Sequence, residues 1–540
     1  MTTPPRSPRR RSFLQHLGGS ALLGSVPTSL FAQTPSASST PAAPAIIIAD
    51  STRPRIPCGV MSGDVTGQSA MLWSRSDRPA RIMVEYADNA AFRRSKRIAG
   101  PLALPSSDYS ARLELTGLRP GQTTFYRIQF EDLQNKGAVS ETITGSLRMP
   151  AAKGGDIRFC FSGDEAGQGF GINPRFGGYR IYETMRKMQP DFFIHSGDQI
   201  YADGPLQEQV KLDDGSIWHN IVTPAKAEVA QTLADFRGNF AYNFLDENKR
   251  RFAAEVPFLV QWDDHEVRNN WFPGQTIGEA EKRYQQRDAS TLAAFARQAM
   301  FEYNPFRRNL QDPEQIYRSF HYGPLLDVFM LDERSYRGKN SPNRQTTLEQ
   351  DAAFLGSKQL QWLKQELLRS RATWKVIASD MPISLVVQDM NPDVPKGTYE
   401  AWANGDGGAP LGRELELANL LSFVKQHRIQ NLVWVTADVH YASATRYTPE
   451  KARFTDFLPF WEFVGGPLNA GTFGPNEVDQ TFGPDVRFVS VPPDMKQNRA
   501  PSALLQFFGH AKIDATSRVM TVSLHDIDGK NLFQVDLQPA

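Results

Sequence analysis

The chain has 540 residues, 40% of them hydrophobic, 11% aromatic and 22% charged, and its 60 basic and 59 acidic residues leave a net charge of +1. These proportions are those of a soluble globular protein with room for a large domain and a smaller one, not of a disordered or membrane chain. The balanced charge gives no electrostatic reason to expect nucleic acid or anionic lipid as a partner.

Two cysteines, Cys58 and Cys160, cannot build a four-thiolate zinc or iron–sulfur site. They form either one disulfide in an oxidising compartment or two buried thiols.

At the N-terminus, Arg9-Arg10-Arg11 precede Phe13-Leu14 and a short Gly-rich apolar stretch. That stretch is well short of the ~20 apolar residues a stable span requires. A basic region, a weak apolar region and small residues predict a cleaved export signal over residues 1–32, and the paired arginines resemble a twin-arginine signal. The alternative is a disordered basic tail. Residues 33–55 are Ser/Pro/Ala-rich at their start and read as a linker with no core of their own.

Over residues 56–150, short segments such as Arg81–Tyr86, Ala111–Leu115 and Thr124–Phe130 alternate apolar and polar residues, with turns such as Leu118-Arg119-Pro120-Gly121 between them. This predicts a small β-sandwich domain resembling a fibronectin III module. Lys153-Gly154-Gly155 is the expected hinge into residues 151–540, where strands alternate with helices, as over Tyr179–Met188 and Leu360–Leu368, and an α/β core is expected. Val519–His525 and Leu532–Leu537 read as a closing hairpin.

In that second region, apolar strands run into an aspartate at Asp164, Asp198, Asp264, Asp332, Asp380 and Asp438. One such Asp is an ordinary cap or turn residue. Six on one sheet edge, where α/β folds bind ligands, would repel one another unless cations neutralise them. Hard cations take carboxylate, imidazole and phenolate ligands, and a pair of them ~3.5–4 Å apart suits in-line attack on phosphorus. Gly163 and Gly197 each precede an acid and permit close backbone approach there.

The segments His195-Ser196-Gly197-Asp198-Gln199-Ile200-Tyr201-Ala202-Asp203, Trp262–Trp271 (with Asp263-Asp264-His265-Glu266 and Asn269-Asn270) and Thr436-Ala437-Asp438-Val439-His440 resemble PhoD-type alkaline phosphatases of the calcineurin-like metallophosphoesterase superfamily. Gly59–Asp64 and Leu72–Arg75 resemble that family's leading β-domain. The resemblance implies an α/β (α+β) two-sheet sandwich flanked by helices, acting on phosphomonoesters and phosphodiesters through attack of a metal-bound hydroxide.

It also implies iron with calcium, while manganese, zinc and magnesium stay open. Asp198 is then the bridging ligand, with Asp164, Tyr201, Asp264, Asp438 and His440 holding metal. Asn270 is a further ligand or phosphate contact, and His265 is the acid assisting the leaving group. The family can carry a cysteine iron ligand where this chain has Asp164, which makes the site harder and leaves the metals' identity open.

Other residues keep two readings. His195 either supports a ligand or is a plain buried histidine, and Asp203 holds the loop after Tyr201. Arg334 and Arg337 either reach phosphate or form structural ion pairs. Phe457–Phe463 is an aromatic loop of core or cleft, and Glu279–Arg287 a solvated helix face.

Expected partners are phosphate esters, small or polymeric, and the twin-arginine export machinery, with a periplasmic or secreted location. A phospholipase or phosphotriesterase on the same scaffold, and a non-catalytic metal-containing adhesion protein, are the competing functions.

Overall fold

The computed structural model describes residues 48–540. The leader expected at 1–32 and most of the linker expected at 33–55 lie outside the described residues.

Two large sheets form the centre. One has nine strands in the spatial order Asn531–Leu537, Met520–Asp526, Phe507–Ile513, Ile157–Ser162, Phe192–Ser196, Phe258–Gln261, Val60–Gly63, Ala70–Arg75 and Ser110–Leu115. The other has seven, in the order Arg318–Tyr322, Leu326–Met330, Trp374–Ala378, Leu432–Thr436, Phe460–Val464, Ser443–Tyr447 and Pro484–Val489. The middle strands of each sheet run parallel, so their carboxyl ends share an edge.

The two-residue period of a strand sorts the side chains. Phe159, Phe161, Ile194 and Leu259 meet Val328, Met330, Val376 and Val433 between the sheets. Cys160, Phe193 and Val260 point the other way, onto Ile181, Tyr182 and Met185 of helix Arg180–Lys187 and Phe252 of helix Glu247–Glu255. On the far face, Phe329, Ile377 and Trp434 pack on Leu360, Leu363 and Leu367 of helix Gly356–Arg369 and on Leu417 and Leu421 of helix Glu414–Gln426. Strands buried on both faces explain the near-continuous apolar runs in the sequence. Each large side chain so buried contributes about 1.5–3 kcal/mol.

A third, four-stranded sheet (Lys96–Ala103, Ala80–Ala87, Thr123–Asp132, Ile143–Arg148) packs Ile82, Val84, Ile128 and Phe130 against Val60, Leu72 and Leu115. The β-sandwich therefore borrows its other sheet from the end of the nine-stranded one. Val60–Gly63 runs parallel to Phe258–Gln261, and the pairing crosses the hinge expected at Lys153–Gly155.

Two sequence readings are corrected. The segment Phe457–Phe463 is not a loop throughout, because Phe460–Val464 pairs with both Leu432–Thr436 and Ser443–Tyr447, and Phe457, Phe460 and Phe463 are core. Residues 279–287 form no helix face. Glu281 and Tyr284 are buried, Arg283 Nη1 donates to Asp203 O at 3.0 Å, and the Gln285 and Gln286 amides donate to Gln231 Oε1 at 2.6 and 3.0 Å. The C-terminal hairpin is joined to the sheet by a third strand, Phe507–Ile513, which pairs with Ile157–Ser162.

Cys58 and Cys160 are separate buried thiols. Burial pushes the Cys58 thiol up to about 11 and that of Cys160 higher still. Among the described residues no helix is long and apolar enough to cross a membrane.

Candidate metal centre and cleft

The turns that follow the central strands carry the acids. Asp164, Asp198, Asp438, His440 and Asn270 all sit at positive φ, of 67°, 52°, 65°, 61° and 59°. Left-handed backbone at five non-glycine residues of one site is strain of the kind that gathers where side chains must be aimed. Gly197, at φ 90°, could not be replaced without strain, since its Cβ would run into that of Asp263. A Cβ on Gly163 would lie 2.8 Å from that of Ala437. These contacts bring the turns after Ile157–Ser162, Phe192–Ser196, Phe258–Gln261 and Leu432–Thr436 together.

Ligand-type atoms of Asp164, Asp198 and His440 lie within 4.8 Å of one another, as do those of Asp198, Asp264 and His265, and those of Asp263, Asp264 and Asp438. Asp198 belongs to two of these groups. Both carboxyl oxygens of Asp164, Oδ2 of Asp198 and Oδ1 of Asp264 are buried without a hydrogen-bond partner among the described residues. Orphaned buried acceptors are costly. Burial, with the facing carboxylates adding to it, holds the carboxyls of Asp198 and Asp438 well above the usual range, and burial does the same to Asp164. Cations satisfy both demands at once, and the oxygen-rich donor set with imidazole fits hard divalent or trivalent ions.

The neighbouring side chains are oriented. His440 Nδ1 donates to Gly471 O at 2.5 Å, which turns Nε2 inward to 2.8 Å from Tyr201 Oη. Burial lowers this imidazole to about 4, so it is neutral and able to ligate. The Tyr201 phenol is held well above its usual range by burial and by Asp198 and Asp164, an effect a bound cation would reverse.

His265 stacks on Tyr201 with ring centroids 4.2 Å apart and places Nδ1 2.6 Å from Asp203 Oδ1. Burial acts to lower the His265 imidazole, but Asp203 and Asp264 outweigh it and raise it to about 10. Burial acts to raise Asp203, yet His265 and the Asn269 N–H hold its carboxyl down to about 2. The Asn270 N–H donates to Asp264 Oδ2 at 2.5 Å.

These side chains form the floor of a cleft of about 410 Å³ that Asp198, Asp264, His265, Asn270, Asp438 and His440 all line. Asp164 and Tyr201 lie just beneath it, buried.

Other sequence candidates are elsewhere. Arg334 and Arg337 do not line the cleft, which corrects the phosphate reading. Both guanidiniums are buried, and Arg334 Nε donates to Asp263 Oδ1 at 2.7 Å and Nη1 to Glu400 Oε2 at 2.7 Å. A buried guanidinium is stable only when paired, and carboxylates hold it here. Asp332 is a cap that accepts from the Arg334 and Ser335 N–H groups and from Trp262 Nε1. Asp380 faces Arg334 at 3.3 Å. His195 is a fully buried histidine 3.5 Å from Glu165, which Lys249 pairs at 2.7 Å.

One residue escaped the sequence reading. Glu266 accepts from the N–H groups of Asp198 (3.1 Å), Gln199 (2.6 Å) and Asp263 (2.8 Å), so a single buried carboxylate ties two acid-bearing turns together. Its only sequence signal was an acid with no assigned role inside the Asp263-Asp264-His265-Glu266 run.

Comparison with known proteins identifies the family. The family model of the PhoD-like phosphatase matches residues 160–524, and that of the PhoD-like phosphatase N-terminal domain matches residues 40–151. Alkaline phosphatase D of Bacillus subtilis (strain 168) is 28% identical over 444 residues, which are 77% of this chain and 70% of that protein.

Among solved structures, that of PhoD superposes with a TM-score of 0.65 at 23% identity, covering 90% of this chain and 92% of that one. Purple acid phosphatase PPD1 from yellow lupin (Lupinus luteus) seeds superposes with a TM-score of 0.52 at 12% identity, covering 90% and 74%. These two likenesses show a shared mixed α+β fold. The chain belongs to the PhoD-like phosphatase family and is a metal-dependent phosphoric ester hydrolase.

Proposed function

We propose that the chain hydrolyses phosphomonoesters and phosphodiesters at a centre holding iron with calcium, after twin-arginine export to the periplasm or beyond. The observation that carries the reading is the pair of ligand groups sharing Asp198, with orphaned carboxyl oxygens, beneath a cleft that His265 also lines. Asp164, Asp198, Tyr201 and His440 would hold one ion, and Asp198, Asp264 and Asp438, with Asn270 beside them, the other. Bound there, the cations supply charge neutralisation for the phosphoryl oxygens and acidify water enough for it to serve as the nucleophile.

The chain's own groups do the rest. Asp203 fixes the Nδ1 proton of His265, which leaves Nε2 as the atom that hands a proton to the departing alkoxide. Glu266 keeps the Asp198 and Asp263 turns in register, and Gly471 O keeps His440 turned inward.

Dialysis against a strong chelator is expected to abolish hydrolysis of nitrophenyl phosphate. Adding back iron with calcium should restore it better than manganese, zinc or magnesium. Activity that survives in protein shown to be metal-free by elemental analysis would sink the reading.

The export proposal rests on Arg10-Arg11 before Phe13-Leu14. Replacing both arginines by lysine is expected to leave unprocessed precursor inside the cell on fractionation. Unimpaired export of that variant would refute the route.

A further inference from the structure

The wall of the cleft is chemically unlike its floor. Among the described residues lining it there is no lysine or arginine. The walls carry Val387, Met390, Val439, Phe473 and Pro475, with amides between them. A phosphoryl group would have cations to meet at the floor, but a second phosphate or carboxylate on the same substrate would meet apolar carbon and neutral amides, with no cationic side chain among the described lining residues to pair its charge.

Met390 is the odd residue of this wall. It is 78% exposed, which is unusual for a large apolar side chain, yet the backbone on either side of it is pinned. Three successive residues of the Asp264-His265 segment grip alternate residues of the Met390 loop. Arg268 forks onto Asp393, both N···O distances being 3.2 Å and both side chains buried. Asn391 Nδ2 donates to Asn269 O at 2.7 Å. Asn340 Nδ2 donates both to Asn270 O and to Asp389 Oδ2, each at 2.8 Å, and so joins the third pair. The ladder fixes the loop relative to His265 while leaving the Met390 side chain, flexible and polarisable, free at the cleft mouth.

We propose that Met390 is a specificity-determining residue that selects phosphate esters of uncharged, apolar alcohols, and that the ladder from Arg268–Asn270 to Asp389–Asp393 positions it. The inference rests on the phosphate-ester reading of the floor. In the reaction, an oxygen of water bonds to phosphorus, the bond from phosphorus to the ester oxygen breaks, and the alcohol leaves with one proton. The alcohol's carbon skeleton is the part that lies against Met390.

The test compares hexyl phosphate with glycerol phosphate, whose leaving groups are both alkoxides, in the metal-loaded enzyme. The wild type is expected to favour the hexyl ester in kcat/KM. Met390→Ala should cut the hexyl-to-glycerol ratio by about tenfold, Met390→Lys by more, and Met390→Leu should restore it. Asp393→Asn, which weakens the ladder outside the cleft, should lower the same ratio.

A ratio that stays within about twofold of wild type in Met390→Ala overturns the assignment. A ratio unmoved by Asp393→Asn overturns the positioning role. Nitrophenyl phosphate is the control that separates this proposal from the metal centre. If it is cleaved while the alkyl comparison fails, the wall is refuted and the floor stands. If it is not cleaved, the phosphoesterase reading fails first.

Discussion

Replacing Asp198 by Asn is expected to lower turnover of nitrophenyl phosphate by about three orders of magnitude or more, the scale on which single electrostatic partners of a reacting group act, with the fold intact. Asp198 is shared by two ligand groups, so one substitution removes a charge from both cation sites. The amide conserves shape. Its oxygen can still accept the His265 N–H that Asp198 Oδ1 accepts at 3.1 Å, and its NH2 can donate to the orphaned oxygens of Asp164 or Asp264.

The metal-free variant should therefore melt at or above the metal-free wild type, because a repelling buried carboxyl has been exchanged for a donor. Metal content by elemental analysis should fall in parallel with kcat. Near-normal activity, or a melting temperature well below that of the metal-free wild type, would mean that Asp198 serves the fold instead of the cations.

Much of this site was legible because strands advertise themselves twice, by an apolar run and by what ends it. Asp164, Asp198, Asp264 and Asp438 each follow such a run, and the structure gathers them. The same signal also marks Asp332, which serves as a cap, and Asp380, which faces Arg334, since Asp in these roles and Asp as a ligand look alike until a third dimension separates them.

What stayed hidden lacks a period. Glu266 acts through three backbone N–H groups, and Glu400 meets Arg334 from 66 positions away. Neither leaves a pattern in a local window. Strand Phe460–Val464 was obscured because its aromatic side chains outnumber its polar ones, as in any strand covered on both faces. The sharing of a sheet between the N-terminal sandwich and the catalytic core rests on one short parallel pairing, Gly63 opposite Phe258, that no composition change announces.

Removing the Arg334 guanidinium, as in Arg334→Met, is expected to cost about 3–5 kcal/mol of stability at neutral pH, because it leaves buried carboxylates without their cation. Arg334 is fully buried and contacts Asp263, Asp380 and Glu400, reaching both oxygens of Glu400 at 2.7 and 3.1 Å. Burial acts to raise Glu400, but Arg334 and then Arg337 hold it down to about 2.

The sign follows from that shift. In the wild type, Glu400 contributes stability that is present above its unfolded value, near 4.3, and is lost as pH falls toward 2. Without Arg334, only Arg337 and Arg413 oppose burial, so the folded-state value of Glu400 rises and the stability it contributes above that unfolded value shrinks.

The deficit of the variant, measured by urea unfolding, should therefore be largest near pH 7 and shrink as pH is lowered toward 4. Simple loss of packing would give a deficit independent of pH. Arg334→Lys should recover only part of the loss, since an ammonium restores the charge but not the planar fork that spans Asp263 and Glu400. A deficit under about 1 kcal/mol at pH 7, or one that fails to shrink toward pH 4, would show that the carboxylates are not the groups Arg334 compensates.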